Sequence, residues 1–182
     1  RRLANEGGKR RLLQDWQVPY VPGRLIVKAY DDRGKVVAED QQVSCGDAEK
    51  LELKSNKLKL DADGQSLAYI HITARDIAGN RVANANNKIK VTIAGPGRLL
   101  GLDNGDSTDT DEYFGDVRYL FNGSLVAIVR TTTQAGEITV TAASPNLPSA
   151  EISITTQQTA EIAGISLPVL SAPDMELGFD IP

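Results

Sequence analysis

Leu67-Ala68-Tyr69-Ile70-His71-Ile72-Thr73 decides the fold. Successive side chains of an extended strand point to opposite faces. The heptapeptide therefore sets Leu67, Tyr69, His71 and Thr73 against Ala68, Ile70 and Ile72. The same period of two returns in Lys88-Ile89-Lys90-Val91-Thr92-Ile93, with Ile89, Val91 and Ile93 inward. Further strands are expected at Leu99 to Leu102, Ser124 to Thr132, Glu137 to Ala142 and Ala150 to Thr155. Upstream, Arg24 to Tyr30 and Lys35 to Val43 alternate about Asp31-Asp32-Arg33-Gly34, the chemistry of a β-hairpin turn. Leu51-Glu52-Leu53 is expected to close this first module, and Leu58-Lys59-Leu60 to open a second. No segment sustains a helical period over three turns. Short strands divided by Gly, Asn, Asp and Pro turns predict an all-β antiparallel sandwich.

Composition narrows the function. Lys plus Arg number 20 and Asp plus Glu 24, for a formal net charge of -4. Nucleic-acid binding rests on a clustered cationic surface, so no nucleic-acid partner is expected. A single cysteine, Cys45, excludes an internal disulfide framework and a multi-cysteine zinc site. No apolar run approaches the roughly 20 residues that span a bilayer, so no membrane partner is expected. The chain opens Arg1-Arg2 without an initiator Met or a signal-peptide pattern and is expected to be a piece of something longer. Residues 1–15, with the cluster Lys9-Arg10-Arg11, read as a basic linker or strand remnant. Residues 16–55 form a partial β domain, 56–158 a complete sandwich, and 159–182, with Pro168, Pro173 and Pro182, an extended tail.

Few side chains suggest chemistry. The stretch from Asp103 to Glu112 is dense in oxygen ligands, and Asp103, Asp106, Asp109 and Asp111 are weak candidates for Ca²⁺. No register from Asp103 or Asp106 satisfies the EF-hand pattern, so a solvated acidic loop is the preferred reading and no metal is expected. Asp61 and Asp63 are read first as a turn. His71 is expected to be partly buried and structural, and Cys45 to be inert in a loop. Aromatics are sparse: one Trp, five Tyr and three Phe. Trp16, Tyr113 and Phe114 are the residues offered for a carbohydrate contact, although Trp16 is expected to pack on the Pro19 and Pro22 segment. Phe121-Asn122-Gly123 reads as an apolar anchor entering a type I′ turn. No catalytic residue and no cofactor are assigned.

Several phrases in order carry a family resemblance. Asp15-Trp16-Gln17-Val18-Pro19-Tyr20-Val21-Pro22-Gly23-Arg24-Leu25, Ala29-Tyr30-Asp31 and Gly34-Lys35-Val36-Val37-Ala38 come first. Asp61-Ala62-Asp63-Gly64, Gly79-Asn80, Ala85-Asn86 and Gly95-Pro96-Gly97 follow. Gly101-Leu102-Asp103-Asn104-Gly105, Phe121-Asn122-Gly123 and Ala127-Ile128-Val129-Arg130 complete the set. From about Trp16 to Ile154 the chain resembles the C-terminal immunoglobulin-like domains of bacterial glycoside hydrolase family 2 β-galactosidases. The resemblance implies an immunoglobulin-like sandwich of the invasin type, one complete domain preceded by the last strands of another. It also implies a fragment inactive by itself, because the family's chemistry belongs to a (β/α)8 barrel carrying two glutamates. The implied partners are the remainder of the parent glycosidase and a second copy of the chain; carbohydrate is the further partner that the aromatics Trp16, Tyr113 and Phe114 offer. The rivals are a carbohydrate-binding module and a repeat of a bacterial surface adhesin. The compartment stays open between cytoplasm, periplasm and export.

Overall fold

The computed structural model describes residues 16–159, and every regular element among them is a strand. The basic segment 1–15 and the tail from residue 160 lie outside the described residues. β1 (Arg24–Tyr30) and β2 (Val36–Val43) form an antiparallel hairpin, from Arg24 opposite Val43 to Ala29 opposite Ala38. Asp31 makes its turn: Oδ1 accepts the backbone N–H of Arg33 at 3.0 Å and of Lys35 at 2.8 Å. Both strands are exposed along their whole length.

The strands that follow build two facing sheets. They are β3 (Lys50–Ser55), β4 (Lys59–Asp61), β5 (Leu67–Arg75), β6 (Lys88–Ala94), β7 (Gly97–Asp103), β8 (Val117–Tyr119), β9 (Ser124–Thr131), β10 (Gly136–Ser144) and β11 (Leu147–Gln157). One sheet runs β4-β11-β10-β6-β8 and the other β3-β5-β9-β7. Pairing is antiparallel except for the short edge strand β4, which lies parallel to β11. Alternation does the rest. Ala68, Ile70, Ile72 and Ala74 of β5 are fully buried, facing Ile89, Val91, Ile138, Val140 and Ile154 of the other sheet. Leu125, Ala127 and Val129 of β9 complete the inner face. Removing one large aliphatic from such a core costs about 2–5 kcal/mol, so the sandwich rests on a few inward columns. The all-β sandwich predicted from period two is what forms.

Two local expectations change, and one strand is new. Leu51-Glu52-Leu53 does not close the hairpin module: β3 pairs with β5, Lys50 opposite Arg75 and Ser55 opposite Ile70. The edge of β5 needs a neighbour to satisfy its backbone, and Arg75 Nη2 secures that neighbour at 2.7 Å from Glu52 Oε2. His71 is exposed rather than partly buried, because its face of β5 is the outer one, with Lys54 and Val126 beside it. β8 is too short to announce itself by period.

The register also gathers the loops. Lys50 lies opposite Arg75, Thr73 opposite Ser124 and Asp103 opposite Val126. The segments 44–49, 76–87, 104–116 and 120–123 therefore share one end of the sandwich. The hairpin joins at that end. Ser44 donates its N–H to Gly23 O at 2.8 Å and its hydroxyl accepts from Gly23 N–H at 3.1 Å, closing the hairpin's base. Two residues on, Gly46 N–H donates to the buried carboxylate of Asp76 at 3.0 Å, which also accepts from Asn80 N–H at 2.7 Å. Those N–H donors, Gly46 first, hold the Asp76 carboxyl below its ordinary range.

The turn Phe121–Ser124 has the predicted form. Asn122 and Gly123 both have positive φ, 49° and 71°, and the flanking residues exchange two 3.1 Å backbone bonds. A Cβ on Gly123 would stand 2.1 Å from Val82 O. Gly123→Ala is therefore expected to lose more than the about 1–2 kcal/mol of a left-handed non-glycine residue. Gly79→Ala, at φ 84° in open space, is expected to lose only that strain. Urea midpoints of the two variants, taken side by side, check the difference.

Candidate functional site

The acidic stretch between β7 and β8 is a series of Asx-type turns. Asp103 Oδ1 accepts from Gly105 N–H at 3.0 Å, Asn104 Oδ1 from Asp106 N–H at 3.0 Å, Asp106 Oδ1 from Thr108 N–H at 2.9 Å and Asp109 Oδ1 from Asp111 N–H at 2.9 Å. Short polar side chains favour this geometry because each substitutes for a backbone acceptor. The loop is therefore ordered from within.

Its centre is Arg118 of β8, whose side chain is 1% exposed. Nε donates to Asp109 Oδ2 at 2.9 Å, Nη1 to Leu102 O at 2.8 Å and Nη2 to Asp111 O at 3.2 Å. The guanidinium also lies 4.8 Å from the centre of the Tyr113 ring, a cation–π contact. Tyr113 O in turn accepts Leu102 N–H at 2.9 Å, and a Cβ on Gly101 would fall 2.3 Å from that oxygen. Gly101 is what lets the loop lie on the edge of β7. The result presents Tyr113 at 58% exposure and Phe114 at 87%. Sequence reasoning missed Arg118; its signal is a lone cation closing a run of carboxylates.

The candidate residues fall on separate segments. Trp16, 40% exposed, stands ahead of β1, while Tyr113 and Phe114 stand together on the β7–β8 loop. Asp103, Asp106 and Asp109 direct oxygens at local N–H groups rather than at a common point. Among the described residues no cluster of three His, Cys, Asp or Glu side chains has metal-binding spacing. The Asp109 carboxyl is held below its ordinary range by the Asp111 N–H first, then by the Asn104 amide and the Arg118 guanidinium, against the opposing effect of burial. A carboxylate so held is a stable anion and a poor general acid.

A depressed folded-state value means the stabilisation is complete above the unfolded carboxylate range, about pH 4, and is lost as pH falls through the folded value. Asp109→Asn is expected to lower the urea midpoint at pH 7, with the gap to the parent chain narrowing as pH falls toward about 3. Arg118→Ala is expected to lower the urea midpoint more than Asp109→Asn does, because it takes the shared donor from the Asp109 carboxylate and from the Leu102 and Asp111 carbonyls together. Arg118→Lys recovers little of that loss, because an ammonium lacks the planar fork that reaches Asp109, Leu102 and Asp111 together. Denaturation curves across pH check all three variants.

Comparisons with known proteins agree with this architecture. A family model described as glycoside hydrolase family 2 C-terminal domain 5 matches residues 51–153, from β3 to β11. A beta-galactosidase of Bacteroides ovatus is 28% identical over 158 residues, which is 85% of this chain and 18% of that protein. The crystal structure of a glycosyl hydrolase family 2 member from Bacteroides cellulosilyticus gives a TM-score of 0.76 at 31% identity, covering 79% of this chain and 18% of that one. A beta-glycosidase from Bacteroides vulgatus gives 0.73 at 31% identity, covering 77% of this chain and 18% of that one. The chain thus spans less than a fifth of the length of these relatives. With the family model matching more than half of its length, the chain belongs to glycoside hydrolase family 2, as a C-terminal domain 5 of those enzymes.

Proposed function

We propose that this chain is the non-catalytic C-terminal β-sandwich region of a β-galactosidase, and that its parent hydrolyses terminal β-galactosides. Its work is mechanical: packing against the catalytic barrel or between subunits. The observation that carries this reading is the similarity to the β-galactosidase of Bacteroides ovatus over most of this chain but 18% of that protein. The chemistry agrees. Retaining hydrolysis sets two carboxyls about 5–5.5 Å apart, one a protonated acid and one a nucleophile. In the acidic loop Asp103, Asp106 and Asp109 are instead tied to backbone N–H groups, and Asp109 to a buried cation.

A second reading rests on the Tyr113–Phe114 pair, held out on an ordered loop, with Trp16 exposed elsewhere. Carbohydrate contact through these aromatics would make the region a binding module within the enzyme, and saturable galactoside binding abolished by Tyr113→Ala would favour it. On the first reading, the purified 182-residue chain leaves a chromogenic β-galactoside untouched while the parent enzyme turns it over. Turnover by the purified chain, or a parent inactive on β-galactosides, overturns that reading.

A further inference from the structure

We propose that the outer face of the β3-β5-β9-β7 sheet binds an acidic oligosaccharide, with Arg98 and Arg130 receiving its carboxylate and Tyr69 stacking on its ring; this goes beyond the packing role and holds whatever the parent enzyme hydrolyses. The register fixes the residues. Arg98 of β7 lies opposite Arg130 of β9, and Arg130 lies opposite Leu67 of β5. The next outward row is Gly101, Ile128 and Tyr69. Residues directly opposite on paired strands share one face. The residues between the rows, Ala68 and Val129, are fully buried, so both rows turn away from the core.

The two arginines are out of keeping with their surroundings. Like charges directly opposite one another in a sheet are destabilising. Among the described residues, neither guanidinium has an ion pair or a hydrogen bond. Further along the same face Lys54 and Arg75 share the Glu52 carboxylate, at 3.2 and 2.7 Å. No carboxylate stands in the row of Arg98 and Arg130 or in the row of Tyr69. Adjacent guanidiniums without an acid present the forked donors that a carboxylate accepts bidentately.

The adjoining row decides what carries that carboxylate. Tyr69 is 40% exposed, Ile128 is half-buried, and Gly101 brings no side chain. The Tyr113–Phe114 peptide lies over Gly101 and raises a wall at the β7 edge. Two residues further along the strands, about 7 Å, the face turns polar again with Lys54, His71 and Asp103. The apolar floor is therefore a single row between charged ones. A protein partner needs about 800 Å² of contact from each side, which one row does not supply. A pyranose ring fits it: an apolar side on Tyr69 and Ile128, hydroxyls at His71 and Asp103, and a carboxylate at the arginine pair.

Calorimetric titration of the 182-residue chain with a short oligogalacturonate, a neutral galacto-oligosaccharide of equal length and poly-glutamate tests the site. Saturable binding of the oligogalacturonate alone is expected. Arg130→Lys, which keeps the charge and loses the fork, is expected to weaken it about tenfold or more. Arg98→Gln and Tyr69→Ala are expected to abolish it, and Tyr119→Ala, on the other sheet, to leave it unchanged. Removing one of two opposed cations is also expected to raise the urea midpoint of Arg98→Gln, so that binding falls while stability rises. A lowered midpoint in that variant means that the guanidinium already serves the fold, and overturns the proposal. So does a chain that does not bind the oligogalacturonate, or one whose binding is lost in Tyr119→Ala. Equal binding of the neutral sugar overturns it by removing the role of the arginines, and equal binding of poly-glutamate by assigning the face to an acidic protein surface.

Discussion

The sandwich depends on closing the edge where its two sheets meet. Alternation produces two apolar inner faces, but β7 ends one sheet and β8 ends the other, and between them lies a loop of carboxylates. Arg118 crosses that gap. It stands on β8, donates to the carbonyl of Leu102 on β7, and binds the loop through Asp109 and Asp111. A buried cation is costly unless paired and hydrogen-bonded, and here both conditions are met by groups that themselves need partners. One guanidinium thus satisfies a β7 carbonyl, neutralises a carboxylate and supports an aromatic ring.

The acidic stretch shows how a suggestive composition acquires an ordinary structural use. Its oxygens are dense in sequence, yet Asp103, Asn104, Asp106 and Asp109 each direct one to an N–H two residues on, and Asp109 gives its other to the central arginine. Dense carboxylates otherwise repel one another; distributing them along successive turns around a cation relieves that. Anionic character is retained at the surface by the exposed Asp111 and Glu112, while Asp116 faces Lys90 at 3.9 Å.

Much of the fold was legible in the sequence because alternation is a local property. Ile70 and Ile72 share one face of β5, as the alternation from Leu67 to Thr73 predicts, and Asn122-Gly123 adopts the turn that its residue types favour. What alternation cannot say is which strand a segment joins. Leu51-Glu52-Leu53 fits either module, and only the open edge of β5 with the Arg75–Glu52 pair draws it into the sandwich. Nor does alternation say which side of a strand faces solvent when both carry apolar residues; Leu67 and Tyr69 suggested cover for His71 that the outer face does not provide. Arg118 was hidden for a related reason. Three residues of strand carry too little period, and its partners are the backbone oxygens of Leu102 and Asp111, which no pattern of side chains encodes. The aromatic pair at Tyr113–Phe114 was visible as composition, but the arginine beneath Tyr113 was not.

The direction of the chain through the sandwich has a mechanical result. The hairpin joins at the end defined by Gly46 and Asp76, whereas β11 runs to Gln157 at the other, where Thr156 meets Gly136. Eleven residues of β11 at about 3.3 Å each span roughly 36 Å. The hairpin joint at Gly46 and the end of β11 at Gln157 are therefore held a strand's length apart, with the ladders of both sheets between them.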